Sequence, residues 1–354
     1  MTIFIRATAN ISPQETFGRV PFLANPVEYT GTCLKVIEPD YKNFIDPKMI
    51  RRMSRIIRMG VAAASECLKE AGLEEPGAII TGTAYGCLED TDIFLRKIIE
   101  QNEEMLSPTS FIQSTHNTVG AQIALMTKCH HYNNTFVHKG FSFESALLDA
   151  ILLLRENEAT NVLIGSVEEV SDLSYAVLNK FGMFKTAPVS NLKLYSSNTK
   201  GTIAGEGAAF FLLASQPAEN DLALLDAMVT FYQPKDIAEI KDHITGFLSS
   251  RSVSIDDIDL VITGKNGDIK NDCGYDHLIR SLFRNKEVIN FKHLCGEYPT
   301  ATSFALWLAA NIIRTGSAPA ATGYKGAATD KLKYVLIYNN YQHVYHSLFL
   351  VSAC

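Results

Sequence analysis

The sequence predicts an α/β protein in which strands and helices alternate around a parallel or mixed sheet. Two observations carry that reading. Short apolar, β-branched runs recur along the chain, GAIITGT at 77–83, NVLIGS at 161–166 and LVIT at 260–263, and are bounded by turn residues. Longer segments between them place apolar residues at helical spacing. Strands that are apolar throughout fit a sheet covered by helices.

The elements follow in order. Thr2–Ala7 reads as a strand with Ile3, Ile5 and Ala7 on one face, and residues 8–45, with Pro13, Pro21, Pro26 and Pro39, form a long excursion. Asp46-Pro47-Lys48 opens a helix whose apolar positions (Met53, Ile56, Ile57, Val61, Ala64, Cys67, Leu68) keep a 3.6-residue period to Ala71, where Gly72 stops it. Gly77–Thr83 is a strand, Asp90–Glu104 a helix ended at Ser107-Pro108, and Thr118–Met126 a further helix. Asn134–Val137 reads as a strand end and Ser145–Leu154 as a buried helix, joined by the turn His138-Lys139-Gly140-Phe141-Ser142. A strand feeding a helix through a tight turn is where α/β enzymes often hold a nucleophile, because unpaired N–H groups and a positive field meet there. Next come a strand at Asn161–Ser166, a helix at Leu173–Phe181, a polar passage at 187–202 and a strand at Gly205–Leu213. Strands at Leu224–Phe231, Leu260–Thr263, Glu287–Phe291, Lys333–Tyr338 and Ser347–Val351 then alternate with helices at Cys273–Phe283 and Thr302–Thr315. The passage from Tyr232 to Ser250 gives no clear pattern. Similar alternation in both parts predicts an internal duplication, divided into residues 1–200 and 201–354.

Composition narrows the classes of function. Of the 354 residues, 47% are apolar and 20% charged, with a formal net charge of −6. That balance argues against a general nucleic-acid binder. The basic run Lys48, Arg51, Arg52, Arg55 and Arg58 is either a solvated helix face or a docking surface for an acidic partner. Seven scattered cysteines without a CxxC pair suggest reduced thiols in the cytoplasm. The start, MTIFIRATANISP, does not resemble a signal peptide, and no stretch of 18 apolar residues suggests membrane insertion.

Motifs for cofactors are missing. Gly201, Gly205 and Gly207 lead into a strand, so they fit close backbone approach better than a phosphate loop, and no nucleotide cofactor is expected. The adjacent Glu168 and Glu169 would point apart in extended chain and make a poor carboxylate pair, and His130-His131 reads as surface, not metal ligation.

Five segments resemble the β-ketoacyl synthases of the thiolase superfamily: DPKMIRRMSRIIRMGVAAASECLKEAGL (46–73), SPTSFIQSTHNTVGAQIAL (107–125), NVLIGSVEEVSD (161–172), GTIAGEGAAFFLL (201–213) and FKHLCGEYPTATSFALWLAANII (291–313). The resemblance implies two related βαβαβαββ halves in α-β-α-β-α layers, and condensation of acyl chains on an acyl carrier protein by a Cys and two His. Carried over residue by residue, those reagents are gone. The Cys position falls on Gly140, the first His on Gly264 or Lys265, and the second His on Glu297. Lys292 matches the family's lysine, while Tyr341–Ser347 stands where its glycine-rich C-terminal loop should be. Glycine forms no thioester, and a carboxylate at Glu297 would repel a developing enolate.

The resemblance therefore points to the family's inactive members, the chain length factors. Those subunits lack the Cys and pair with an active ketosynthase; well-known ones carry Gln where Gly140 stands. Phe136, Phe141 and Phe143 are candidates for walling an acyl tunnel, or plain core residues. A relocated active site would have to use His138 or Cys295, and a homodimeric acyl-binding scaffold is the third reading.

Overall fold

The structure, a computed structural model, describes residues 2–18, 22–106, 108–325 and 332–354. Pro21 and Ser107, which the sequence assigns to the early excursion and to a helix end, lie outside these residues.

Strand β1 (Phe4–Ile11) leads into the excursion, which holds β2 (Thr30–Gly31), and then to α1 (Pro47–Ile50) and α2 (Arg55–Ala71). The single helix expected from residue 46 is broken in two. Asp46 caps α1 through the Lys48 N–H, and Ser54, with extended backbone, restarts the chain as α2. Gly72 then ends α2 in the left-handed region at φ 66, as its sequence position suggests. β3 (Ala78–Gly82), α3 (Leu88–Glu100), α4 (Pro108–Gln113), α5 (Thr118–Thr127) and β4 (Tyr132–Phe136) follow. A short turn over Lys139–Phe141 feeds α6 (Ser142–Arg155), β5 (Asn161–Glu168), α7 (Asp172–Lys180), the two-residue β6 (Val189–Ser190) and β7 (Gly207–Ala214).

The remaining chain is β8 (Ala223–Tyr232), α8 (Ile237–Ser249), β9 (Leu260–Thr263), α9 (Ile269–Ser281), β10 (Glu287–Asn290), α10 (Lys292–Cys295), α11 (Thr302–Thr315), β11 (Tyr334–Tyr341) and β12 (Tyr345–Ser352). Helix α8, unassigned from sequence, starts where the Asp236 carboxylate accepts the Ala238 and Glu239 N–H groups. The loop expected between the last two strands is only a hairpin tip, because β11 and β12 pair as far as Tyr341 opposite Tyr345.

The duplication is visible in strand order. Ten strands form one sheet in the order β10-β9-β11-β12-β8-β1-β7-β5-β3-β4. Read from each end, the pairings run parallel, parallel, antiparallel, antiparallel in both repeats. β7 pairs with β1 and β5, so in strand order it lies with the strands that precede it in the chain.

Three cores account for the layers. One buries α2 against the β1, β5 and β7 side chains, and another buries α8 and α9 residues against β8, β9, β11 and β12. The largest joins α6 and α11 with strand faces of both repeats. This gives helices outside, a sheet layer, helices in the middle, a second sheet layer and helices outside. The middle layer is where the turn before α6 meets the second repeat.

Candidate functional site

The site is built where β4 ends. Lys139 takes φ 50 and the Ser142 hydroxyl accepts the His138 N–H, which tightens the chain into α6. Gly140 is buried at this turn. A side chain there has no space: a Cβ would lie 2.8 Å from Cβ and Cγ of Tyr345 and 3.0 Å from Cβ of Tyr341. Both tyrosines belong to the β11–β12 hairpin that stands in place of a glycine loop. Phe141 meets the Tyr345 ring edge-on at 5.0 Å and seals the other side.

The second repeat supplies the facing wall. At the end of β9, a Cβ on Gly264 would fall 2.1 Å from Asn339 Oδ1 and 2.6 Å from the Tyr275 hydroxyl. The next residue, Lys265, reaches away to Asp276 at 2.6 Å. Position 264 leaves no room for an imidazole, and position 265 is occupied by a lysine turned to Asp276. Beyond α10, Glu297 is buried, and Lys292 Nζ stands 2.9 Å from each of its carboxylate oxygens. Asn266 Nδ2 donates to Glu297 at 2.6 Å and Lys292 also donates to the Asn340 carbonyl at 3.2 Å. Burial raises the Glu297 carboxyl, and the Lys292 ammonium and the Asn266 amide oppose that rise. The pair is closed and internally satisfied, so no donor is left aimed at an incoming oxyanion.

A cavity of about 30 Å³ remains between these walls, lined by Tyr85, Glu168, Glu169, Glu297, Tyr298 and Tyr341. That is room for a water or two and not for an acyl chain. Tyr85 and Tyr341 narrow it with hydroxyls 3.3 Å apart. Glu168 and Glu169 do not diverge as extended neighbours would, because the chain leaves β5 between them. Glu168 accepts the Ala84 N–H, Glu169 accepts the Glu89 N–H, and both carboxylates line the same cavity. Burial pushes Glu168 up to about 8 and Glu169 up to about 7.

Comparisons with known proteins bear on the fold. Residues 35–208 match the β-ketoacyl synthase N-terminal domain family. No curated protein sequence matches the chain. Among solved structures, the ishigamide ketosynthase/chain length factor superposes with a TM-score of 0.81 at 17% identity, covering 100% of this chain and 99% of the other. A ketosynthase in complex with its chain length factor from Xenorhabdus doucetiae gives 0.75 at 14%, covering 100% and 98%. A type II polyketide synthase acyl-carrier protein in complex with its ketosynthase gives 0.74 at 14%, covering 100% and 99%. Residues 35–208 thus resemble the β-ketoacyl synthase N-terminal domain, and the whole chain has the ketosynthase fold.

Within that ketosynthase fold the other candidate residues fall into place. His138 is exposed, and its ring packs edge-on against Phe141. Cys295 is wholly buried, donates to the Gly296 carbonyl and has its thiol pushed far up by burial, so it is not a poised nucleophile. Phe143 is enclosed by Phe211 and Phe349, Phe141 plugs the turn and Phe136 packs on the central core. None of the three lines the cavity.

The basic run divides. Arg55 is held by Glu206 and Glu38, and Arg58 lies over the Tyr41 ring at 5.6 Å. Lys48, Arg51 and Arg52 stay exposed, and no ion pair engages them among the described residues. Sequence reasoning placed Tyr341 and Tyr345 in the segment that replaces a glycine loop but gave them no role, and it missed Glu144. Glu144 left a signal of its own, since 144, 147, 151 and 154 fall on one helix stripe that is otherwise apolar.

Proposed function

We propose that this chain is a non-catalytic subunit of the chain-length-factor kind, which pairs with an active β-ketoacyl synthase in polyketide, polyene or fatty-acid-like synthesis. One observation carries the reading: the space of the family's nucleophile is filled by Tyr341 and Tyr345 around Gly140. The lost imidazoles, at Gly264 or Lys265 and at Glu297, agree with it, and so does the closed Lys292–Glu297 pair.

The partner surface is read from the open side of the first repeat. β4 ends the sheet order with one side unpaired among the described residues. Leu148 and Leu152 on α6 and Leu125 on α5 lie exposed on helices that pack against it. An unpaired strand edge between exposed apolar residues favours a protein partner. Lys48, Arg51 and Arg52 offer a cationic patch for an acidic acyl carrier protein, which would serve the partner's active site. The ketosynthase–chain length factor complex and the carrier-protein complex among the similar structures support the same roles. Seven free cysteines suit a reducing cytoplasm.

The test is co-expression with the ketosynthase encoded beside it, followed by light scattering on the purified material. A one-to-one complex is expected; a monomer or homodimer that ignores the ketosynthase overturns the proposal. Incubation with acyl-carrier thioesters and intact mass measurement should leave this chain unmodified. An adduct that disappears in Cys295→Ala would mean a relocated enzyme.

A further inference from the structure

Glu144 lies in the first turn of α6, just past the Gly140 turn, with 1% of its surface exposed. It belongs to the first repeat, yet it faces hydroxyls of the second: Thr302 at the start of α11 and Ser347 on β12 lie beside the carboxyl and, with its own N–H, oppose the rise that burial causes. None of them reaches hydrogen-bond geometry, and both carboxyl oxygens are without a partner. The Asn339 amide donates to Thr302 Oγ1 at 2.8 Å, while Asn339 Oδ1 and Thr300 Oγ1 are likewise unpartnered.

The surrounding charges do not compensate an ionised Glu144. From α10 comes Lys292, which attracts the carboxyl but spends its short contacts on Glu297 and the Asn340 carbonyl. β12 brings Ser347, while the neighbouring His346 turns to the opposite face and stacks on Phe231. β3 and β5 present Ile80 and Ile164 to the same core, and Glu168 stands at the far end of β5. From α11, Arg314 is at the distant end.

We propose that Glu144 is held as the neutral acid in the folded protein and acts as a pH-sensitive latch between the two repeats. A neutral acid needs only one acceptor for its proton, and Thr302 and Ser347 offer two; a carboxylate here would need donors the site does not align. Burial pushes the group up to about 7, which places the change near neutrality. On ionising, the carboxylate opposes its own burial and loosens the contact of α6 with α11 and β12.

The test combines infrared spectroscopy with amide hydrogen exchange, using Glu144→Gln and, to preserve volume without a polar head, Glu144→Met. In a Glu168→Gln, Glu169→Gln background, which removes the other two carboxyls raised into this range, a protonated-carboxyl band that titrates near pH 7 should remain and be lost on adding Glu144→Gln. Exchange in the first turn of α11 and around Ser347, corrected for its intrinsic pH dependence, should quicken about tenfold between pH 6 and pH 8.5. Either Glu144 variant should remove that difference. A band that survives Glu144→Gln in that background, or wild-type exchange that is equal at both pH values, overturns the proposal.

Discussion

α6 and α11 hold equivalent places in the two repeats, each a fourteen-residue helix that follows an end strand of the sheet, yet they are used differently. α11 buries eleven of its residues and exposes no large apolar side chain, whereas α6 buries eight and turns Leu148 and Leu152 to solvent. The turn before α6 holds Gly140 against two tyrosines, while the chain before α11 carries a closed ion pair. The second repeat thus buries its central helix almost wholly, and the first keeps an exposed apolar face.

Perturbing the finished side should have the largest effect on stability. Lys292→Ala leaves Glu297 buried without its ammonium and is expected to cost about 3–5 kcal/mol in chemical denaturation. The double replacement Lys292→Met with Glu297→Gln should recover much of that loss. At the vacated turn, Gly140→Cys forces a side chain against Tyr341 and Tyr345, a strain of about 1–3 kcal/mol. Its thiol should form no thioester by intact mass, because no imidazole faces it.

The pH dependence follows from groups of both kinds. Glu144, Glu168 and Glu169 are raised by burial from 4.5 to about 7, 8 and 7, so they favour the fold at low pH and lose that contribution as pH climbs through those values. His293 and His346 are lowered by burial from 6.5 to about 4, so their contribution is present above 6.5 and is lost as pH falls through 4. Melting temperature should therefore be higher at pH 6.5 than at pH 8.5 and fall again in acid, as scanning calorimetry between pH 4 and 9 would show. The smallest effect on the isolated chain belongs to the open side. Leu148→Asp with Leu152→Asp should change its stability by less than about 0.5 kcal/mol per site, yet weaken partner binding by about a hundredfold in titration calorimetry. Full retention of binding would remove α6 from the interface.

What the sequence reveals is local and periodic. The apolar stripe and glycine stop of α2, the buried α11 and the tight turn at Gly140 all lie within a few residues of their cause. Helix α8 had its own signal, Asp236 three residues before Glu239, but an unclear flanking pattern hid it. The rest depends on distant neighbours. Arg55 reads as one more surface cation until Glu206, 151 positions away, is seen to hold it. Phe143 reads equally as tunnel wall or core residue, and its neighbours Phe211 and Phe349 come from distant strands. Glu168 and Glu169 converge because of a bend that spacing does not encode.

The β11–β12 hairpin has an evolutionary consequence. Its tip holds Gln342 and His343 at φ 57 and 56, a conformation that side-chain-bearing residues adopt rarely, and its flanking tyrosines occupy the volume a residue at 140 would need. The tyrosines at 341 and 345 keep their places only while residue 140 is glycine. A substitution at 140 meets Cβ and Cγ of Tyr345 and Cβ of Tyr341, and removing the rings first leaves a void at the end of the last two strands. A side chain at 140 therefore requires coordinated change in two segments far apart in sequence.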